Sequence, residues 1–278
     1  MIIAWWSAGV TSAVATKLAI NEFGIDNVVP IYFKIDSAHE DNARFKSECE
    51  EWYGKEIETY QSEKYKDQFE VIINDRYVNG PGGARCTLVL KRRVRQKIEH
   101  ELDYNGQIFG FEYSKKEVNR AIRFSEQYPT AKPLFPLIEH KMNKPECLYY
   151  LEDAGIERPE MYKLGYKNNN CIGCVKGGAG YWNKIRVDFP ESFKKMSEAE
   201  RIVGHSCLRG TFLDELDPNK GHKQKTIMPD CGNFCDLEFE DILHPKVDEI
   251  FDEPTKLRHL PKDMKLTKFL ARYEENRS

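Results

Sequence analysis

Long apolar runs and a dominant charge are both missing from this 278-residue sequence, and each absence excludes something. No apolar stretch approaches the roughly 20 residues of a membrane span, so no membrane association is expected. Lys and Arg number 42 against 45 Asp and Glu, a formal net charge of −3, which gives no global attraction to nucleic acid or anionic lipid. The chain opens directly on a strand-like stretch with no basic segment and signal core, and a cytoplasmic protein is expected. In that setting the eight cysteines point to reduced thiols, metal ligation or redox chemistry rather than to a disulfide framework. The length allows a main domain with an appendage and is ample for a hydrophobic core.

What is present starts at the N-terminus. Ile2-Ile3-Ala4-Trp5-Trp6 is continuously apolar, the pattern of a strand buried on both faces of a parallel sheet. Ser7-Ala8-Gly9-Val10-Thr11-Ser12 then turns the chain, and Val10, Val14 and Leu18 recur at helical spacing, so a helix starts inside the turn. The unpaired N–H groups and dipole of a helix N-terminus favour an anion, and small residues let a phosphate approach. The same residues also serve simply as helix caps.

Strand and helix then alternate. Val28 to Phe33 reads as a second strand, 40–53 as a helix with Phe45, Cys49 and Trp52 on one face, and Glu56 to Tyr60 as a third strand. Cys49 is therefore expected in the core. A helix follows over Asp67 to Asn74, and a glycine-rich loop leads into a basic helix over Leu88 to Leu102. Gln107 to Phe111 reads as a strand, Glu112 to Phe124 as a helix with Glu117, Arg120 and Arg123 on one face, and Lys144 to Ala154 as another helix. This order predicts an α/β fold with a doubly wound, mostly parallel sheet, in which ligands lie beyond the carboxyl ends of the strands. Gly177 to Lys184 reads as a glycine-rich turn, Ser197 to Val203 as a short helix, and Phe212 to Asp217 as a helix stopped by Pro218.

The Ser7–Ser12 stretch resembles the PP-loop, S-G-G-x-D-S or S-x-G-K-D-S, of the phosphoadenosine phosphosulfate (PAPS) reductase family and its ATP pyrophosphatase relatives in the adenine nucleotide alpha hydrolase-like superfamily. Ser7, Gly9 and Ser12 match, Ala8 replaces a glycine, and Thr11 stands where the family usually has aspartate. Asp36-Ser37 resembles the family's D-T-G stretch without its glycine. Arg85-Cys86-Thr87 with Lys91 resembles its R-C-T-x-x-L-K segment, and Glu117 with Arg120 and Arg123 its glutamate–arginine segment. The run from Gly155 to Tyr166 continues the match, which covers roughly residues 1–180 in consistent order.

The resemblance implies that Ser7, Ala8, Gly9, Val10, Thr11 and Ser12 cradle the phosphates of ATP or PAPS, with Asp36 and Arg123 also at the nucleotide. Lys91 and Arg120 then assist catalysis. It implies attack of an acceptor oxygen on the α-phosphorus, with Mg²⁺ neutralising the leaving pyrophosphate. The adenylylated acceptor, a small metabolite, a tRNA or a DNA base, is then ready for substitution, for example by sulfur. Two other outcomes stand beside it: sulfite release by a PAPS or adenylyl-sulfate reductase that draws on a thioredoxin-like reductant, and nucleotide binding without turnover, which Thr11 leaves open.

Five of the eight cysteines lie from Cys171 onward. Cys171 and Cys174 are two residues apart, so one turn can aim both thiolates at one metal, and Cys231 and Cys235 offer a second pair. Zinc and a [4Fe-4S] cluster both suit four thiolates, with iron–sulfur implied by the resemblance; Cys207 can replace any one ligand. Asp230-Cys231-Gly232 also resembles the E-C-G motif of the PAPS reductases, which implies a catalytic nucleophile at Cys231. The expected organisation is a PP-loop domain over 1–165, a cysteine-rich metal or iron–sulfur region over 166–240 and a charged extension over 241–278.

Overall fold

The computed structural model describes residues 1–79 and 83–221, together with 244, 246, 247 and 251. Its centre is a five-stranded parallel sheet in the order β3-β2-β1-β4-β5. Strands β1 (Ile2–Trp6), β2 (Val28–Phe33) and β3 (Glu58–Tyr60) run outward on one side; β4 (Gly106–Ile108) and β5 (Pro133–Leu134) lie on the other. All five residues of β1 are buried, as its unbroken apolar run predicts. The alternation of side chains then splits them between two cores. Ile2, Ala4 and Trp6 join Ala13, Val14 and Leu18 of α1 (Val10–Phe23) and Phe45 and Cys49 of α2 (Asn42–Tyr53). Ile3 and Trp5 face the opposite way, toward Ile98, Phe109, Ala121 and Phe124. Helices thus cover both faces, and the sheet is doubly wound.

Two helices follow β3 in the chain. Helix α3 (Gln68–Asp75) begins at Asp67, whose carboxylate accepts the Glu70 N–H at 2.9 Å. The basic segment is one continuous helical stretch, α4 (Arg85–Thr87) passing through a π-helical turn over Leu88–Arg92 into α5 (Arg93–Glu101). Lys91 lies in that π turn, a distortion common at functional sites.

Strand β4 is shorter than its apolar run suggests, and Phe109 to Tyr113 leave the sheet as a loop. Helix α6 (Lys115–Gln127) starts after Ser114, not at Glu112, because the Ser114 hydroxyl accepts the Glu117 N–H and caps it there. A short helix, α7 (Pro136–Glu139), leads to α8 (Lys144–Asp153), which carries a reciprocal cap between Asn143 and Glu146, and α9 (Glu160–Lys163) follows.

A further core joins Phe69 and Ile72 of α3 to Met161, Tyr166, Tyr181, Trp182, Ile185 and Met196. It explains why the glycine-rich stretch is not a turn. Burial of Tyr181 and Trp182 draws it into α10 (Ala179–Asp188), and the expected helix over Ser197 to Val203 is the end of α11 (Pro190–Val203). Leu213–Glu215 forms only a 3-10 turn. Among the described residues no helix is long and apolar enough to cross a membrane.

Candidate functional site

The order in which successive strands are added across the sheet reverses between β1 and β4, and the crevice outside their carboxyl ends is where doubly wound sheets bind ligands. A cleft of about 330 Å³ opens there. Its floor is the Ser7–Ser12 loop. Ser12 Oγ donates to Gly9 O at 2.9 Å and accepts from both the N–H and the hydroxyl of Ser7 at 3.0 Å, so the two serines fix the loop from within. No side chain caps α1 at Gly9.

Two residues from far along the chain hold this loop. Ala8 adopts φ 58°, the left-handed region that disfavours a side chain, and its carbonyl accepts from Asn169 Nδ2 at 2.7 Å. The same amide group donates to Asn42 Oδ1 at 2.6 Å. Tyr162 accepts the Val10 N–H at 3.4 Å, and burial pushes its phenol up to about 12, so it is neutral at physiological pH. On the opposite side Gly110 presses against α1. A Cβ there would lie 2.7 Å from both Cα and N of Ser12.

Cations dominate the cleft walls: Lys91, Lys116, Arg120, Lys144 and Lys167 line it, against the carboxylates Glu112 and Glu117. Arg120 lies 3.4 Å from Glu117 and stands over the Phe111 ring at 4.5 Å, which aims the guanidinium. Lys144 donates to Asn168 Oδ1 at 2.7 Å and to Lys167 O at 3.0 Å, tying α8 to the segment that delivers Asn169. A concave site with five cations around a bare helix N-terminus is suited to a polyanion.

Of the expected site residues, the fold brings Ser7, Gly9, Thr11, Ser12, Lys91 and Arg120 into this one cleft. Ala8 and Val10 are buried beneath it and contribute backbone. Two others fall outside. Asp36 is exposed, hydrogen-bonded by Gln61 at 2.9 Å with Lys34 at 3.5 Å, and does not line the cleft. Arg123 lies one turn, about 5 Å, farther along α6 than Arg120 and contacts Asn119 at 3.5 Å. Sequence reasoning missed Gly110, Glu112, Tyr162 and Asn169. The Asn168-Asn169-Asn170 run was the one available signal, and nothing local tied it to Ala8.

Cys171 also lines the cleft, and Cys174 is buried behind it. The Tyr181 hydroxyl accepts from the N–H groups of Gly173 at 3.1 Å and Cys174 at 3.0 Å, which shapes the turn between the two thiols. Cys231 and Cys235 lie outside the described residues, and among the described residues no group of three or more His, Cys, Asp or Glu side chains is arranged to hold a metal ion. Cys207 sits beside the buried carboxylate of Glu200, and burial raises its thiol pKa. Cys49 behaves as a core residue, its thiol pushed up to about 12 by burial. No protein-family model matches the chain, and no curated protein matches it in sequence.

Proposed function

We propose that this protein is a PP-loop enzyme that binds ATP in the β1/β4 cleft and releases pyrophosphate by adenylylating an acceptor. One observation carries the reading: the serine-rich loop at the start of α1 and the cations Lys91 and Arg120, far apart in sequence, line a single cleft at the switch point of the sheet. The Ser7–Ser12 backbone would receive the phosphates, and Lys91, Arg120 and Lys144 would offset the charge that grows on the leaving pyrophosphate. Mg²⁺ supplies further neutralisation of that charge when bound. The acceptor is a small metabolite, a tRNA or a DNA base. A [4Fe-4S] cluster or Zn²⁺ held by Cys171, Cys174, Cys231 and Cys235 belongs to the same reading, with sulfur transfer as its purpose.

A second reading is thiol-dependent reduction of PAPS or adenylyl sulfate with Cys231 as nucleophile, and a thiol already in the same cleft, Cys171, favours thiol chemistry there. It requires sulfite as product and a thioredoxin-like reductant. Anaerobically purified protein given ATP and, separately, PAPS distinguishes the two by pyrophosphate or sulfite release. Lys91→Met is expected to weaken nucleotide binding by about tenfold or more, the worth of one charge-assisted phosphate contact. Binding without either product would favour a nucleotide-binding protein that has lost turnover. If no nucleotide binds and neither product forms, the proposal fails.

A further inference from the structure

We infer that Glu112 is a divalent-cation ligand of the cleft, holding Mg²⁺ against the phosphates of the bound nucleotide; this rests on the nucleotide reading above. Glu112 lines the cleft, and its Oε2 is buried with no hydrogen-bond partner. A buried carboxylate oxygen left in that condition carries the full cost of its lost hydration, and in folded proteins such an atom nearly always has a partner. The backbone around it is fixed. Gly110, two residues earlier, packs on the Ser12 backbone, Tyr113 N–H donates to Met142 O at 2.8 Å, and Ser114 N–H donates to Glu112 O at 2.9 Å. The carboxylate is therefore delivered by a pinned loop beside the first turn of α1.

The other carboxylate of the cleft is accounted for, since Glu117 pairs with Arg120. Glu112 has no such partner for its Oε2 when a phosphate arrives. Left ionised and alone, it would repel that phosphate. A hard divalent cation satisfies both, because Mg²⁺ is commonly held by one or two carboxylates together with substrate phosphates and water. The hydroxyls of Ser7, Thr11 and Ser12 in the same cleft are oxygen donors of the kind such an ion accepts.

The test compares wild-type protein with Glu112→Gln in two arms. Calorimetry with α,β-methylene ATP is run in Mg²⁺ and in EDTA, and nucleotide-free protein is titrated with Mn²⁺ and followed by electron paramagnetic resonance. Mg²⁺ is expected to tighten wild-type nucleotide binding by about tenfold or more, and the variant is expected to lose that gain while binding at least as well as wild type in EDTA. A purely structural role would not produce this split. Equal Mg²⁺ enhancement in both proteins, or none in wild type, overturns the inference.

If no nucleotide binds under any condition, the nucleotide reading fails and the Mn²⁺ arm decides alone. Mn²⁺ bound by wild type and lost in the variant keeps Glu112 as a cation ligand, whereas equal binding or none overturns it. Should Glu112→Gln fail to fold, Glu112→Asp, which keeps the charge on a shorter arm, is expected to retain part of the metal effect; a full effect would overturn the assignment.

Discussion

Gly110 touches the backbone of Ser12 so closely that no side chain fits between them, and the joint between the β4 exit and the α1 start depends on that contact. Both neighbours are backbone, so neither can rotate out of the way. Gly110→Ala is therefore expected to cost about 1–3 kcal/mol, the usual range for overpacking, and to weaken nucleotide binding in step because the cradle itself must shift. Urea unfolding and calorimetric titration on the same sample would check this. Unchanged values in both would show that the contact is looser than the fold indicates. Ala8 is the complementary case, a residue held at φ 58° by Asn169 rather than relieved by being glycine.

The segment carrying Lys91 depends on an ion pair at the junction of two helices. Asp75, at the end of α3, accepts from Arg85 at 2.8 Å and from the Tyr65 hydroxyl at 2.7 Å, and Arg85 begins the helical stretch that turns through Lys91. The Arg85 hydrogen bond, then that of Tyr65, lowers the Asp75 pKa to about 2. A carboxyl whose pKa is lower folded than unfolded stabilises the fold above its unfolded value, near 4. That contribution drains away as pH falls toward 2. Asp75→Asn is accordingly expected to lower stability by about 1.5–3 kcal/mol at pH 7, the worth of a hydrogen bond to a charged group. Chemical denaturation from pH 7 down to pH 2 should show the gap between wild type and variant closing below pH 4. A gap that persists at pH 2 would mean the aspartate acts by shape and not by charge.

At the scale of the molecule, the cleft is made by parts drawn from Trp5 through Cys171: the β1–α1 turn, the π turn at Lys91, the β4 exit, α6, α8 and the segment 167–171. A ligand that bridges them should stabilise all of them together. ATP at a hundredfold excess over its Kd is expected to raise the melting temperature by about 5 °C, from roughly 2.7 kcal/mol of linkage. Adenosine at the same concentration should give much less, because in the proposed reading it is the phosphates that meet the cations and the helix N-terminus. Equal shifts from the two would argue that the cleft does not hold phosphates.

The two kinds of information divide along a physical line. Local pattern carried much of the sheet: the apolar run of β1, the helical spacing of Val10, Val14 and Leu18, and the alternation of strand and helix were legible in order, and so was the loop that forms the cleft floor. Burial and hydrogen bonding between distant segments were not. Nothing near Asn169 ties it to Ala8 and nothing near Tyr162 ties it to Val10, whereas the Ser114 cap that starts α6 at Lys115 is local and stood in the sequence as Ser114 three residues before Glu117. Periodicity reports which face of an element is apolar. Only the packed structure decides which residues meet across the cleft, and there the sequence separation between partners such as Ala8 and Asn169 exceeds anything a local signal can span.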